Sequence, residues 1–111
     1  MKNLAIAIDT TEVTDVGIIE YWNSIADVLN NYIIKVTTVD PVIGEKYRYS
    51  MTGLLTELSV PLKYHYPYIL VNGYTSSRDY SGHNSIKMLD INRLDIYYAL
   101  YKKKRNNYTI Q

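Results

Sequence analysis

Four apolar side chains, Ile18, Trp22, Ile25 and Leu29, recur at spacings of four, three and four. That rhythm puts them on one stripe of an α-helix, and Ile19, Ala26 and Val28 widen the stripe. A helix patterned in this way has to bury its stripe. In a chain of 111 residues the covering surface must come from the same core, because a domain of this size supports one core and not two. The reading is a single domain over residues 1–111, with 106–111 a loose tail. The helix is expected to start near Glu12 or Asp15, capped by Thr11 or Thr14, and to stop at Asn30 or Asn31.

The remaining segments read mostly as extended chain. Leu4 to Ile8 is a short apolar run ended by Asp9, read as a strand and too short for a signal-peptide core. No stretch approaches the roughly 20 apolar residues of a membrane helix. Tyr32 to Val39 is β-branched and alternating, which predicts a strand. Asp40-Pro41 and Gly44 predict a turn or loop. Glu45 to Ser50 alternates again, with Tyr47 and Tyr49 to one side. Thr52 to Leu58 predicts one or two helical turns capped by Ser50. Tyr64, Tyr66 and Tyr68 lie at period two. With Pro67 between them they predict an edge strand that continues through Tyr68 to Val71. Asn72-Gly73 predicts a turn, and Thr75 to Asn84 a long polar loop.

Ser85 to Leu89 reads as a strand. Asp90 to Lys104 fits a helix with Ile91, Leu94, Tyr98 and Tyr101 on one face. It also fits a strand, with Leu94, Ile96, Tyr98 and Leu100 at period two. The expected fold is α+β, a mainly antiparallel sheet with the amphipathic helix packed on one face.

Chemistry is sparse. The absence of cysteine excludes disulfides, thiolate metal sites and thiol nucleophiles. His65 sits among tyrosines and reads as a structural histidine. His83 lies in the polar loop near Arg78, Asp79 and Ser81, without the glycine pattern that exposes a catalytic serine. No histidine pair has helical spacing, and neither an Asp-rich calcium loop nor a glycine-rich phosphate loop is present. The expectation is a non-enzymatic protein with no catalytic residue, no metal and no cofactor.

Tyrosine is the excess residue, thirteen copies against no phenylalanine. Biased codon usage accounts for part of this. A tyrosine ring also suits a surface that is apolar on one side and wet on the other. Tyr47, Tyr49, Tyr64, Tyr66, Tyr68, Tyr74 and Tyr80, with Arg78, are therefore the candidate protein-contact residues. Lys102, Lys103, Lys104 and Arg105 form a basic block that would complement the negative end of a helix or touch phosphate. A net charge of +1 leaves little field for a dedicated nucleic-acid binder. Single-stranded nucleic acid, stacked on tyrosines, is the lesser reading.

The segment Tyr66-Pro67-Tyr68-Ile69-Leu70-Val71-Asn72-Gly73-Tyr74-Thr75, with Asp79 after it, resembles the small tail-terminator and neck proteins of tailed phages. It covers about twenty residues, and the expected strand before the first helix departs from that pattern. The resemblance implies a ring-forming α+β subunit of the virion at the head–tail junction or tail, assembled in the host cytoplasm. Its implied partners are its own copies and other virion proteins. It implies no catalytic residue and no membrane. A small viral or host regulatory protein that binds and blocks a protein partner is the alternative.

Overall fold

A computed structural model describes residues 16–110, with side chains from 17 to 103. The expected strand at Leu4–Ile8 and the candidate helix starts at Glu12 and Asp15 lie outside the described residues.

Helix α1 (Val16–Ser24) and the single turn α2 (Ala26–Leu29) together form the expected amphipathic helix. Ile25 interrupts it with φ −112° and ψ 17°. The Leu29 amide still reaches the Ile25 carbonyl at 3.0 Å, so the axis bends and does not reverse. Ile18, Trp22 and Leu29 are buried, and Ile25 packs against them half-buried. The stripe read from the sequence is the stripe that meets the core.

A 3₁₀ turn (Asn30–Tyr32) leads into strand β1 (Ile33–Thr38). β1 pairs antiparallel with β2 (Ser85–Leu89), with Val36 opposite Lys87 and a bulge between Ile33 and Lys35. These two strands are the whole sheet among the described residues. The fold is α+β, as expected, with helix as the larger part.

One segment expected as a turn or loop and one expected as a strand are helical. Pro41–Lys46 forms α3. The Asp40 carboxylate accepts from the Val42 amide at 2.8 Å and Pro41 takes the first helical position. An N-cap aspartate followed by proline starts a helix more readily than it makes a loop. The chain then turns, and Tyr49 adopts a left-handed φ of 67°. Its amide donates to the Tyr80 carbonyl at 2.7 Å. Tyr47 and Tyr49 therefore do not lie side by side on a strand. Helix α4 (Met51–Glu57) follows, and the Ser50 hydroxyl caps it by accepting from Gly53 N at 3.2 Å, as predicted. Gly53 is required there, since a Cβ would stand 2.6 Å from the Tyr47 ring.

The second correction is larger. After a 3₁₀ turn (Leu62–Tyr64), His65–Val71 is helix α5, not a strand. Pro67 falls at the third helical position. Amides of the first turn have no acceptor within the helix, so proline leaves no bond unmade there. Tyr64 and Tyr68, four apart, share the buried side, and Tyr66 does not. A period near four explains this tyrosine run better than a period of two.

Asn72-Gly73 makes the expected turn, with Gly73 at φ 82°. The polar loop contains one 3₁₀ turn (Ser77–Asp79) with a capping box between Ser76 and Asp79. The last element is helix α6 (Ile91–Ile110). Leu94 and Tyr98 are buried, with Ile91 and Tyr101 half-buried beside them. Its backbone stays helical through 106–110, the stretch expected as a loose tail. Lys102 to Arg105 consequently lie inside the helix and not in its last turn.

Candidate functional site

The tyrosines expected to form one contact surface are divided between interior and surface. Tyr64, Tyr68 and Tyr80 are at most 1% exposed and belong to the core. Each hydroxyl has an acceptor: the Asp95 carboxylate for Tyr64, the Leu89 carbonyl at 3.1 Å for Tyr68, and the His83 carbonyl at 2.7 Å for Tyr80. A buried phenol must find such a partner. Burial also pushes the Tyr68 and Tyr80 hydroxyls above their ordinary pKa. These three rings are therefore corrected from contact candidates to core residues.

Tyr47 and Tyr66 are half-buried, their hydroxyls bonded to Glu57 at 2.8 Å and to the Asn23 amide at 3.0 Å. Tyr49 is 58% exposed, with the Arg48 guanidinium 5.1 Å from its ring centre. Tyr74 is half-buried and packs edge-on against Tyr80, ring centres 6.4 Å apart. Arg78, Lys102 and Lys103 are exposed. The Lys104 and Arg105 side chains lie outside the described residues.

The histidines are separated. His65 is buried, and its Nε2–H donates to the Val60 carbonyl across 2.9 Å. Desolvation holds its pKa below the ordinary value, so the neutral ring is the folded form. His83 is exposed. Asp79, once a conceivable partner for it, accepts from Thr75 N at 2.9 Å, Thr75 Oγ1 at 2.7 Å and Ser76 N at 3.2 Å. Those bonds keep its carboxyl below the usual range. It organises the loop. Among the described residues no group of three His, Cys, Asp or Glu could hold a metal ion.

The surface feature with a coherent geometry is the outer face of the ribbon. Ile34 and Val36 are each 61% exposed. On the opposite side of β1, Thr37 is half-buried, and its hydroxyl is buried without a hydrogen-bond partner among the described residues. The strand thus turns its aliphatic residues outward and a hydroxyl inward.

Asn72 sets the boundary of this face. Its side-chain amide accepts from Lys87 N at 2.8 Å and donates to Lys87 O at 3.2 Å. One side chain so replaces a neighbouring strand on the far edge of β2. Both backbone groups of Lys87 point away from β1, so Lys87 and Val36 are a non-hydrogen-bonded pair. The N–H and C=O of Val36 then face the other edge of β1, which has no strand beside it among the described residues. Beside the ribbon lies a half-open groove of about 370 Å³, lined by Val36, Asn72, Tyr74, His83, Ser85 and Lys87.

Of the residues expected at a contact, only Tyr74 lines this groove. Lys87, Ser85 and Val36 were not singled out from the sequence. The signal was present, since Ser85 and Lys87 share a face by strand alternation. What was missing was which face meets the core. No known protein family, characterised protein or solved structure matches the chain.

Proposed function

We propose that this chain is a non-enzymatic subunit that works by protein–protein contact through strand β1 and the outer face of its ribbon. The observation that carries this reading is the inverted strand. Two aliphatic side chains are exposed while a threonine hydroxyl is buried without a hydrogen-bond partner among the described residues. Exposed aliphatics beside an open strand edge invite pairing with another chain, and a protein that lives alone protects such an edge. The positions of the histidines agree. His65 is committed to the core, and among the described residues no carboxylate lines the groove beside His83.

The assembly we propose is a viral particle of the tailed-phage kind, with the subunit at the head–tail junction or in the tail. This part rests on the resemblance in Tyr66 to Thr75. The test is the solution mass by light scattering behind a sizing column, over a range of concentrations. The expected result is a discrete multimer in which the β1 amides gain protection from hydrogen exchange. A monomer at every concentration would defeat the self-assembling reading and leave a one-to-one binder of another protein.

A further inference from the structure

Among the described residues, Lys87 and His83 line the groove beside the ribbon, and no Asp or Glu does. Lys87 gives the groove a positive charge that none of these lining residues balances. Among the described residues neither Lys87 nor His83 makes an ion pair. The Ser85 hydroxyl adds a third donor to the same lining. The Asn72 amide is already engaged by the Lys87 backbone. The apolar wall is Val36 together with the Tyr74 ring.

We infer that this groove holds a carboxylate from an acidic segment of a different protein, with an aliphatic side chain next to it against Val36. An ionised acceptor meeting lysine, imidazole and hydroxyl donors makes the stronger class of hydrogen bond. The aliphatic neighbour covers surface that is otherwise wet. The arrangement suits a peptide better than a nucleic acid. Single strands need free aromatic faces, and the Tyr74 ring is packed edge-on against Tyr80. A net charge of +1 also gives little long-range attraction for a polyanion.

The inference rests on the contact-subunit reading and names the chemistry of one partner. Its test is selection of random displayed peptides on the full-length protein, in parallel with Lys87→Glu and Lys87→Met. The wild type is expected to enrich peptides with Asp or Glu beside an aliphatic residue. Lys87→Met should weaken the best synthetic peptide roughly tenfold or more by fluorescence anisotropy. Lys87→Glu should shift enrichment to Lys or Arg. Failure to enrich acidic peptides overturns the inference, as does enrichment that both variants leave unchanged. So does tighter binding of a labelled single-stranded oligonucleotide that Lys87→Glu abolishes.

Two other occupants have their own signatures, and either overturns the inference. A multimer that Lys87→Glu dissolves gives the groove to a second copy. Selection that appears only after Asp9, Glu12 and Asp15 are neutralised gives it to the chain's own first residues. A multimer that persists while acidic selection fails removes the acidic partner and leaves the contact-subunit reading standing.

Discussion

The interior of this molecule and the outer face of its ribbon use opposite kinds of side chain. The interior buries rings with hydroxyls, Tyr64, Tyr68 and Tyr80, together with Trp22. The ribbon exposes Ile34 and Val36, which have no polar atom to satisfy. The buried rings are explained within the chain, because each hydroxyl is tied to a named acceptor. Nothing among the described residues covers the exposed aliphatics. Tyrosine content marks the core here, since Tyr64, Tyr68 and Tyr80 are buried. With no phenylalanine in the chain, tyrosine has to supply the aromatic core. The surface we propose for a partner is aliphatic.

Substitutions in the two regions test this contrast. The largest effect is expected from Trp22→Ala, which empties the centre of the aromatic cluster. It should destabilise the fold by about 3–5 kcal/mol in urea unfolding. A loss below about 1 kcal/mol would mean the cluster is not the core. Tyr68→Phe keeps the ring and removes only the bond to the Leu89 carbonyl. The expected loss is about 1 kcal/mol, and a neutral result would show that the hydroxyl is incidental.

His65 gives the contrast a pH dependence. Its folded pKa is depressed by burial. The unfolded chain therefore takes up the proton first, near pH 6.5 or so. The stabilisation is complete above that value and falls as the pH drops through it towards the folded pKa. Urea midpoints measured on both sides of that value should fall more steeply in the wild type than in His65→Gln. Parallel slopes would remove His65 as the cause.

The smallest effect on stability is expected at the ribbon. Val36→Thr should change the unfolding free energy by no more than about 0.5 kcal/mol. The same substitution should weaken the acidic peptide's binding measured by fluorescence anisotropy. A large stability loss would instead make Val36 part of the monomer's core.

Much of the fold was legible in the sequence. The stripe Ile18–Trp22–Ile25–Leu29, the Ser50 cap, the Asn72-Gly73 turn and the face Ile91–Leu94–Tyr98–Tyr101 all follow from local rules, and all are present. The misreading of residues 64–71 has a physical origin. Residues 64–71 carry aromatics at period two, Tyr64, Tyr66 and Tyr68, and at period four, Tyr64 and Tyr68. The helix packs against α1, α2 and β2. Pro67 reads as a strand-edge signal and is equally compatible with a first helical turn. The outer groove was less legible still. In β1, alternation gives two faces, Ile33–Lys35–Thr37 and Ile34–Val36–Thr38, and hydrophobicity alone would bury the second. The structure exposes it, for a reason that lies outside the local sequence.

The bond that closes the far edge of β2 also bears on how the protein ages. In an Asn-Gly pair the glycine nitrogen can attack the asparagine side-chain carbonyl carbon. Ammonia leaves, a succinimide forms, and water opens it to aspartate or isoaspartate. In the folded chain the Gly73 amide donates to the Leu70 carbonyl at 3.0 Å. The Asn72 side chain is held by Tyr68 O at 2.8 Å and by the Lys87 backbone. Both reacting groups are thus restrained, and damage should accumulate chiefly in the unfolded chain. Peptide mapping for isoaspartate after incubation with and without urea would detect this, and equal rates would refute it. Once formed, a carboxylate at position 72 would face two carbonyl oxygens with no hydrogen to offer them, and the ribbon would lose its inner border.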